Sequence, residues 1–228
     1  MVTCKKKKEV SVDSVDSPFT LSTAQQYSGA FYTNVMTITD QNVSRNVYSA
    51  YALFSSMPTD FYGGQNFINV KGVELNGELL ENKNFRYTAN NYTNVAKRAW
   101  IIDGDNGIPS FHYTETGNIP VFQSIDALPD SISLSKGLNI KINGLESMTE
   151  GSFVISDSSN PSADQIIISL FPGDNNVVIT PADFAGFTPT RYASISISCR
   201  NKTVLNFSEK DYLFDNLRSL IKGTKLVP

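Results

Sequence analysis

Short runs that alternate between apolar and polar residues recur along most of this chain. The clearest is residues 194–199, in which serine alternates with Ile195, Ile197 and Cys199. Because successive side chains of a β-strand point to opposite faces, this run places the two isoleucines and Cys199 on one buried face. Residues 138–142 alternate in the same way, and the three isoleucines at 166–168 indicate a strand that is covered on both faces. Turn residues separate such runs about every 8–12 residues, as is typical of β-sandwiches.

These runs predict an all-β fold made of two tandem β-sandwich domains. The apolar pattern begins near Phe19, pauses around residues 124–129 and then restarts. We therefore expect a disordered tether over residues 1–17, an N-terminal domain over residues 18–124 and a C-terminal domain over residues 125–228. The second half, with about seven short strands, fits an immunoglobulin-like or fibronectin-III-like sandwich without the paired cysteines of the disulfide-bonded subtype.

Three local signals refine the expected elements. Asn76-Gly77 between two apolar runs predicts a tight hairpin. Thr180 followed by Pro181, with Asp183 after them, predicts a single helical turn. The tail from Lys210 fits a helical face or two short strands at residues 211–214 and 219–227, and we favour the strands.

Charge and hydropathy exclude several classes of protein. The chain has 228 residues, a formal net charge of -3 and 18% charged residues. A nucleic-acid-binding protein usually has a basic face, whereas the basic cluster here is four consecutive lysines at positions 5–8. No apolar run approaches the roughly 18 residues of a membrane-spanning helix. We therefore predict a soluble body that does not bind nucleic acid.

The N-terminus indicates a lipid anchor. Cys4 precedes the four lysines, and a polar run follows to Ser17. A cysteine that carries acyl chains and leads into a flexible coil would hold a folded body on the order of 20 Å from a bilayer. Residues 1–3 are too short for a signal peptide, so we expect a hydrophobic segment encoded upstream. The alternative is a chance cysteine in a cytosolic basic tail.

Two segments resemble known proteins. The start Met1-Val2-Thr3-Cys4-Lys5 is similar to the cleavage-site region of outer-membrane lipoproteins from Gram-negative bacteria. Residues 128–140 resemble the opening of the C-terminal module in a group of uncharacterised two-domain β-sandwich lipoproteins of these bacteria, and residues 100–111 resemble the end of their N-terminal module. The resemblance implies an outer-membrane or cell-surface location, facing the periplasm or the exterior. It implies no activity, because the group has none established.

No catalytic, cofactor or metal motif emerges from the sequence. His112 is the only histidine, and alternation places it on the sheet surface opposite Phe111 and Tyr113. The acids around Gly104 do not fit the calcium loop of an EF-hand, so a solvated turn is the simpler interpretation. Acids such as Asp60, Glu74 and Glu115 have no spacing that would bring two of them together. We expect no catalytic residue, no cofactor and no metal.

Aromatic residues crowd the first half and give the most suggestive candidate site. Phe61 and Tyr62 precede two glycines in a segment that we predict to be an exposed loop, where sugars could stack on their rings. The simpler interpretation is that tyrosine and phenylalanine form strands and fill the core, as we expect for Trp100.

Three functional hypotheses follow from these features. The first is a non-enzymatic cell-envelope lipoprotein with a surface binding or structural role and a glycan or protein partner. The second is a carbohydrate-binding module that uses the loop aromatics Phe61 and Tyr62. The third is a hydrolase whose acids converge only in the fold.

Overall fold

The computed structural model describes residues 26–40, 43–61, 66–90, 92, 97–115, 128–157 and 165–228. Regular structure in these residues consists of strands and one 3-10 turn, Pro181–Phe184. The strands are β1 (Tyr27–Asp40), β2 (Val43–Thr59), β3 (Gly72–Leu75), β4 (Glu78–Leu79), β5 (Glu81–Lys83), β6 (Arg86–Asn90), β7 (Arg98–Asp103), β8 (Phe111–Glu115), β9 (Ser131–Ser133), β10 (Leu138–Lys141), β11 (Glu150–Asp157), β12 (Gln165–Leu170), β13 (Asn176–Ile179), β14 (Thr190–Phe207) and β15 (Lys210–Val227). The predicted all-β class is confirmed.

The hairpin and the helical turn are confirmed as well, and the tail is confirmed as a strand region. Asn76 and Gly77 join β3 to β4 with φ angles of 55° and 81°, which is the left-handed backbone that a tight hairpin needs. At the 3-10 turn, the Asp183 carboxylate accepts a hydrogen bond of 2.9 Å from the Thr180 backbone N–H. The tail from Lys210 is a strand, as favoured, but one continuous strand rather than two.

The described strands form three sheets. The largest has nine strands in the order β12-β11-β14-β15-β1-β2-β6-β5, with β9 also paired to the end of β15. A four-stranded sheet has the order β4-β3-β7-β8, and a two-stranded sheet pairs β10 with β13. Most neighbours are antiparallel, whereas β1 runs parallel to β15 over residues 29–39 and 212–222.

The nine-stranded sheet buries one face, which we call the inner face, against both smaller sheets. Near one end, Phe31 and Phe214 pack with Trp100 of the four-stranded sheet. Farther along the same strands, Ile195 and Leu226 pack with residues of the two-stranded sheet, such as Val177. The odd-numbered residues of β14 and the even-numbered residues of β15 pack into both cores. The two cores therefore lie on the same face of one sheet.

The continuous nine-stranded sheet contains strands from both of the predicted domains. Residues 116–127, which hold the predicted boundary at 124/125, lie outside the described residues. The core of the first half includes Tyr212 and Phe214, which are fully buried side chains from the C-terminal strand. Strands β14 and β15 have 18 residues each, and at about 3.3 Å per residue they extend roughly 60 Å, far enough to reach both cores.

Polar residues inside β15 explain why two short strands were expected there. Asn216 on the inner face donates to the Glu115 carboxylate and accepts from the Thr33 hydroxyl. Glu115 also pairs with Arg98, whose Nε lies 2.9 Å from Glu115 Oε2, and both residues are buried. Because Asn216, Glu115, Arg98 and Thr33 pair with one another, this buried polar group lies between the two apolar cores without interrupting the strand.

Candidate functional site

The structure places Phe61 in the protein interior. Its side chain is only 9% exposed, and its ring lies parallel to that of Phe67 with centroids 6.0 Å apart. It packs with Ala30, Leu53 and Leu213 on the second, or outer, face of the large sheet. The predicted exposure of Phe61 is therefore wrong, because its ring covers apolar surface that would otherwise face water. Tyr62 and Cys4 lie outside the described residues.

Other residues singled out from the sequence lie where alternation predicts. Trp100 and Cys199 are buried in the two cores, with 1% and 0% of their surface exposed. His112 is exposed on β8, and its neighbours Phe111 and Tyr113 pack against the core. Among the candidate acids, Glu115 is held in the buried pair with Arg98, and Glu74 is a half-buried residue of β3.

The turn after β7 is held by its own hydrogen bonds. The Asp105 carboxylate accepts from the Asn106 backbone N–H at 2.8 Å, and the Asn106 side-chain amide donates to the Asn69 carbonyl at 2.9 Å. Across the ranges that the structure covers, no group of three or more His, Cys, Asp or Glu side chains could hold a metal ion. These contacts account for the acidic turn as a structural element.

A row of stacked side chains crosses the outer face near the N-terminal half. The rings of Tyr32 on β1 and Tyr51 on β2 stack with centroids 4.4 Å apart, and the Arg86 guanidinium lies 4.1 Å from the centre of the Tyr51 ring. Cation–π contact and ring stacking hold these side chains in fixed positions. Burial raises the pKa of Tyr51, and Arg86 partly opposes this effect.

A charged network continues this row on β15 and β14. Asp215 is the cross-strand neighbour of both Tyr32 and Lys202. Arg200 Nε lies 3.2 Å from Asp215 Oδ1, and Arg200 Nη1 lies 3.2 Å from Glu150 Oε1. Lys202 Nζ lies 2.8 Å from the same Glu150 oxygen. Two acids and two bases therefore form one cluster in the middle of the sheet, which we call the charge cluster.

The two acids of the charge cluster differ in their electrostatics. Asp215 is only 1% exposed, and burial raises its pKa to about 6 although Arg200 and Lys202 oppose the shift. Burial also disfavours the charged form of Glu150, but Lys202 and Arg200 outweigh it and lower the pKa of Glu150. An acid pair with divergent pKa values is a feature of some hydrolases. Here the Arg200 guanidinium contacts both carboxylates, which favours a fixed salt-bridge network over a general acid–base pair.

Serine dominates the outer face beyond the charge cluster. Ser198 and Ser219 oxygens lie 3.0 Å apart, and so do those of Ser156 and Ser194. Strand register aligns these hydroxyls in rows across the sheet. The serines of this surface on the described strands are Ser152, Ser156, Ser169, Ser194, Ser196, Ser198 and Ser219.

The outer face is the site that sequence reasoning missed. Tyr32 and Tyr51 were grouped with the other aromatics, although alternation places each opposite a core residue, Phe31 and Ala52. Asp215 gave no signal, because its neighbours Arg200 and Lys202 are brought close to it only by strand pairing. Comparison with protein-family models, with curated proteins and with solved structures found no match. No helix among the described residues is long and apolar enough to cross a membrane.

Proposed function

We propose that this protein is a non-enzymatic binding protein of the cell envelope. In this proposal acyl chains on Cys4 anchor it to the outer membrane or cell surface, and residues 1–17 act as the tether. The two halves of the body serve as β-sandwich modules, the second immunoglobulin-like or fibronectin-III-like. The supporting observation is the outer face, where aromatic, charged and hydroxyl side chains lie in register on a rigid sheet.

Binding is favoured over catalysis by how the charged groups are paired. Arg200 bridges the two acids of the charge cluster, and Glu115 is paired with Arg98. Groups that are held by one another stabilise a fixed surface, whereas a general acid or base must be free to exchange a proton with a substrate. A preorganised polar surface lowers the entropic cost of binding.

A carbohydrate is the second candidate ligand, favoured by the tyrosine and arginine row. Because Phe61 is buried, we propose that Tyr32, Tyr51 and Arg86 on the outer face would contact the sugar in place of the loop aromatics. The two stacked rings cover each other, and Arg86 lies over Tyr51. A sugar would therefore meet hydroxyl and guanidinium hydrogen-bond donors.

A glycan-array screen with matched variants tests the ligand. We expect Arg86→Gln to weaken glycan binding by about tenfold, since a hydrogen bond to a charged group contributes roughly 1.5–3 kcal/mol. The matched control is Arg191→Gln, which removes an arginine lying 4.9 Å from the exposed Tyr192 ring on β14. An equal loss in both variants, or no glycan bound by the wild type, would exclude the carbohydrate hypothesis and leave a protein partner.

The lipid anchor is tested separately by cell fractionation. We expect Cys4→Ser, expressed from the gene in its native host, to move the protein from the membrane fraction to the soluble fraction. Cys199→Ala is the control, because Cys199 is buried in the apolar core and alanine introduces no unpaired polar group there. Unchanged membrane association of the Cys4 variant would contradict the anchor without bearing on the binding face.

A further inference from the structure

The nine-stranded sheet ends in two unlike edges. At one end β5 is three residues long and carries Glu81 and Lys83, whose charged groups lie 2.7 Å apart. At the other end β12 has the sequence Gln-Ile-Ile-Ile-Ser-Leu, with no charge and no proline. Within the described ranges, β11 is the only strand that pairs with β12, so no described strand covers its second edge. Short length and charge protect an edge from pairing with another chain, and β12 lacks this protection.

We propose that β12 pairs with β12 of a second copy of this chain, joining two nine-stranded sheets into one. A twofold axis makes such a contact self-complementary, because the same strand is supplied by both copies. It also brings each residue near its own kind, so an edge that carries one sign of charge would repel itself. The uncharged sequence of β12 removes this repulsion, whereas Glu81 and Lys83 would have to break their own pair at the other edge.

The burial pattern of β12 fixes the register of the pair. Ile166, Ile168 and Leu170 are buried on the inner face, while Ile167 and Ser169 lie on the outer face. Residues directly opposite in an antiparallel pair point to the same face. A pair centred on Ile168 therefore sets Ile166 opposite Leu170 of the second copy, so that apolar residues meet on the inner face. On the outer face Ile167 meets Ser169.

The same register covers an exposed ring. Phe171 follows β12 directly and is 47% exposed. With Ile168 at the centre, Phe171 lies beside Gln165 of the second copy, whose aliphatic stem covers part of the ring. Pairing thus removes an exposed aromatic group from water and satisfies the open backbone groups of β12.

Lysine and glutamate substitutions at the outer-face positions of β12 test both the dimer and its strand register. We expect the full chain, kept in reductant so that Cys4 cannot form an intermolecular disulfide, to be a dimer by light scattering over a dilution series. The double variant I167K/S169K places lysine opposite lysine and should raise the dimer Kd by about tenfold or more. The variant I167E/S169E should do the same. An equimolar mixture of the two should recover the dimer, because each lysine then faces a glutamate.

The control adds the same charge to another exposed strand. Asn176 and Val178 on β13 are exposed and two residues apart, so N176K/V178K should leave the Kd unchanged. A monomeric wild type with a cooperative unfolding transition would overturn the proposal. A dimer that survives I167K/S169K would also overturn it, since association would then use another surface. Monomeric Lys and Glu variants that fail to recover a dimer on mixing would overturn the register.

Discussion

Asp215 is a carboxylic acid buried in the middle of a strand, and it makes stability depend on pH. Burial raises its pKa from an ordinary value of 3.8 to about 6. The folded protein therefore holds this proton more tightly than the unfolded chain does. The stabilisation is complete below about pH 4 and is lost as pH rises through about 6. At neutral pH the ionised carboxylate of Asp215 is retained at a cost.

We expect Asp215→Asn to flatten this dependence. The wild type should lose on the order of 1–3 kcal/mol of unfolding free energy from Asp215 between about pH 4 and pH 7, and the variant should not. Urea unfolding across this range measures the difference, with the exposed Glu146→Gln as the control for removal of a surface acid. Parallel pH profiles for Asp215→Asn and the wild type would contradict the assignment.

Cys199 provides a second test at the residue scale. Its side chain is fully buried, and burial raises the pKa of its thiol to about 12. Because the thiolate is the reactive form, we expect no native reaction with a thiol reagent near pH 8. A Cys4→Ser protein should show less than one reactive thiol when folded and one after unfolding in urea. Rapid native labelling would mean that the core around β14 opens readily.

At the scale of elements, the hairpin between β14 and β15 carries an unfavourable turn. Ser208 and Glu209 have φ angles of 52° and 62°, a left-handed backbone that Asn and Gly adopt at lower cost. The hairpin between β3 and β4 has the preferred residues, Asn76 and Gly77, in the same conformation. The two longest paired strands are thus joined by the less suitable turn.

Replacing this turn should stabilise the protein. We expect S208N/E209G to raise the free energy of unfolding by about 1 kcal/mol, because it relieves backbone strain at two positions. Chemical denaturation measures the change. The reverse exchange at the other turn, N76S/G77E, should destabilise by a similar amount. No change in either variant would show that the turn conformations are not strained.

The sequence alone was sufficient to predict short elements that depend on neighbouring residues, but it was insufficient to predict the full length of the long strands. Alternation identified residues 194–199 as a strand, and Asn76-Gly77 identified a hairpin, because both depend on neighbouring residues. The full extent of β14 and β15 was not predictable, since Asp215, Asn216 and Arg200 look like a break until their partners are known. For the same reason the charge cluster was missed, and Phe61 was placed on the surface although it is buried.

At the scale of the molecule, the pairing of β1 with β15 joins the two ends of the described chain. Within the described residues β15 lies between β14 and β1, so backbone pairing links the strands of the first half to those of the second through β15. The Phe214 ring stacks on Phe31 at 4.6 Å with an interplanar angle of 8°. The division of the sequence at 124/125 did not anticipate this, because parallel pairing leaves no local signal.

This architecture predicts that the first half does not fold alone. A fragment of residues 18–124 lacks the strand that pairs with β1 and the Tyr212 and Phe214 rings of its core. We expect it to show no cooperative unfolding transition by circular dichroism, whereas the full chain shows one. Adding residues 190–228 as a separate peptide should restore structure in the fragment. A cooperative transition from residues 18–124 alone would establish an independent domain.

The parallel pairing of β1 with β15 also constrains how the protein can fold during synthesis. The register pairs Gly29 with Tyr212, so about 180 residues must be synthesised after the first strand before its neighbour exists. At roughly 5–20 residues per second, the nascent chain waits on the order of 10–40 s with its phenylalanine-rich segments uncovered. A premature stop codon before the last strand would release a chain whose first-half core lacks Tyr212 and Phe214, and we expect that product to aggregate.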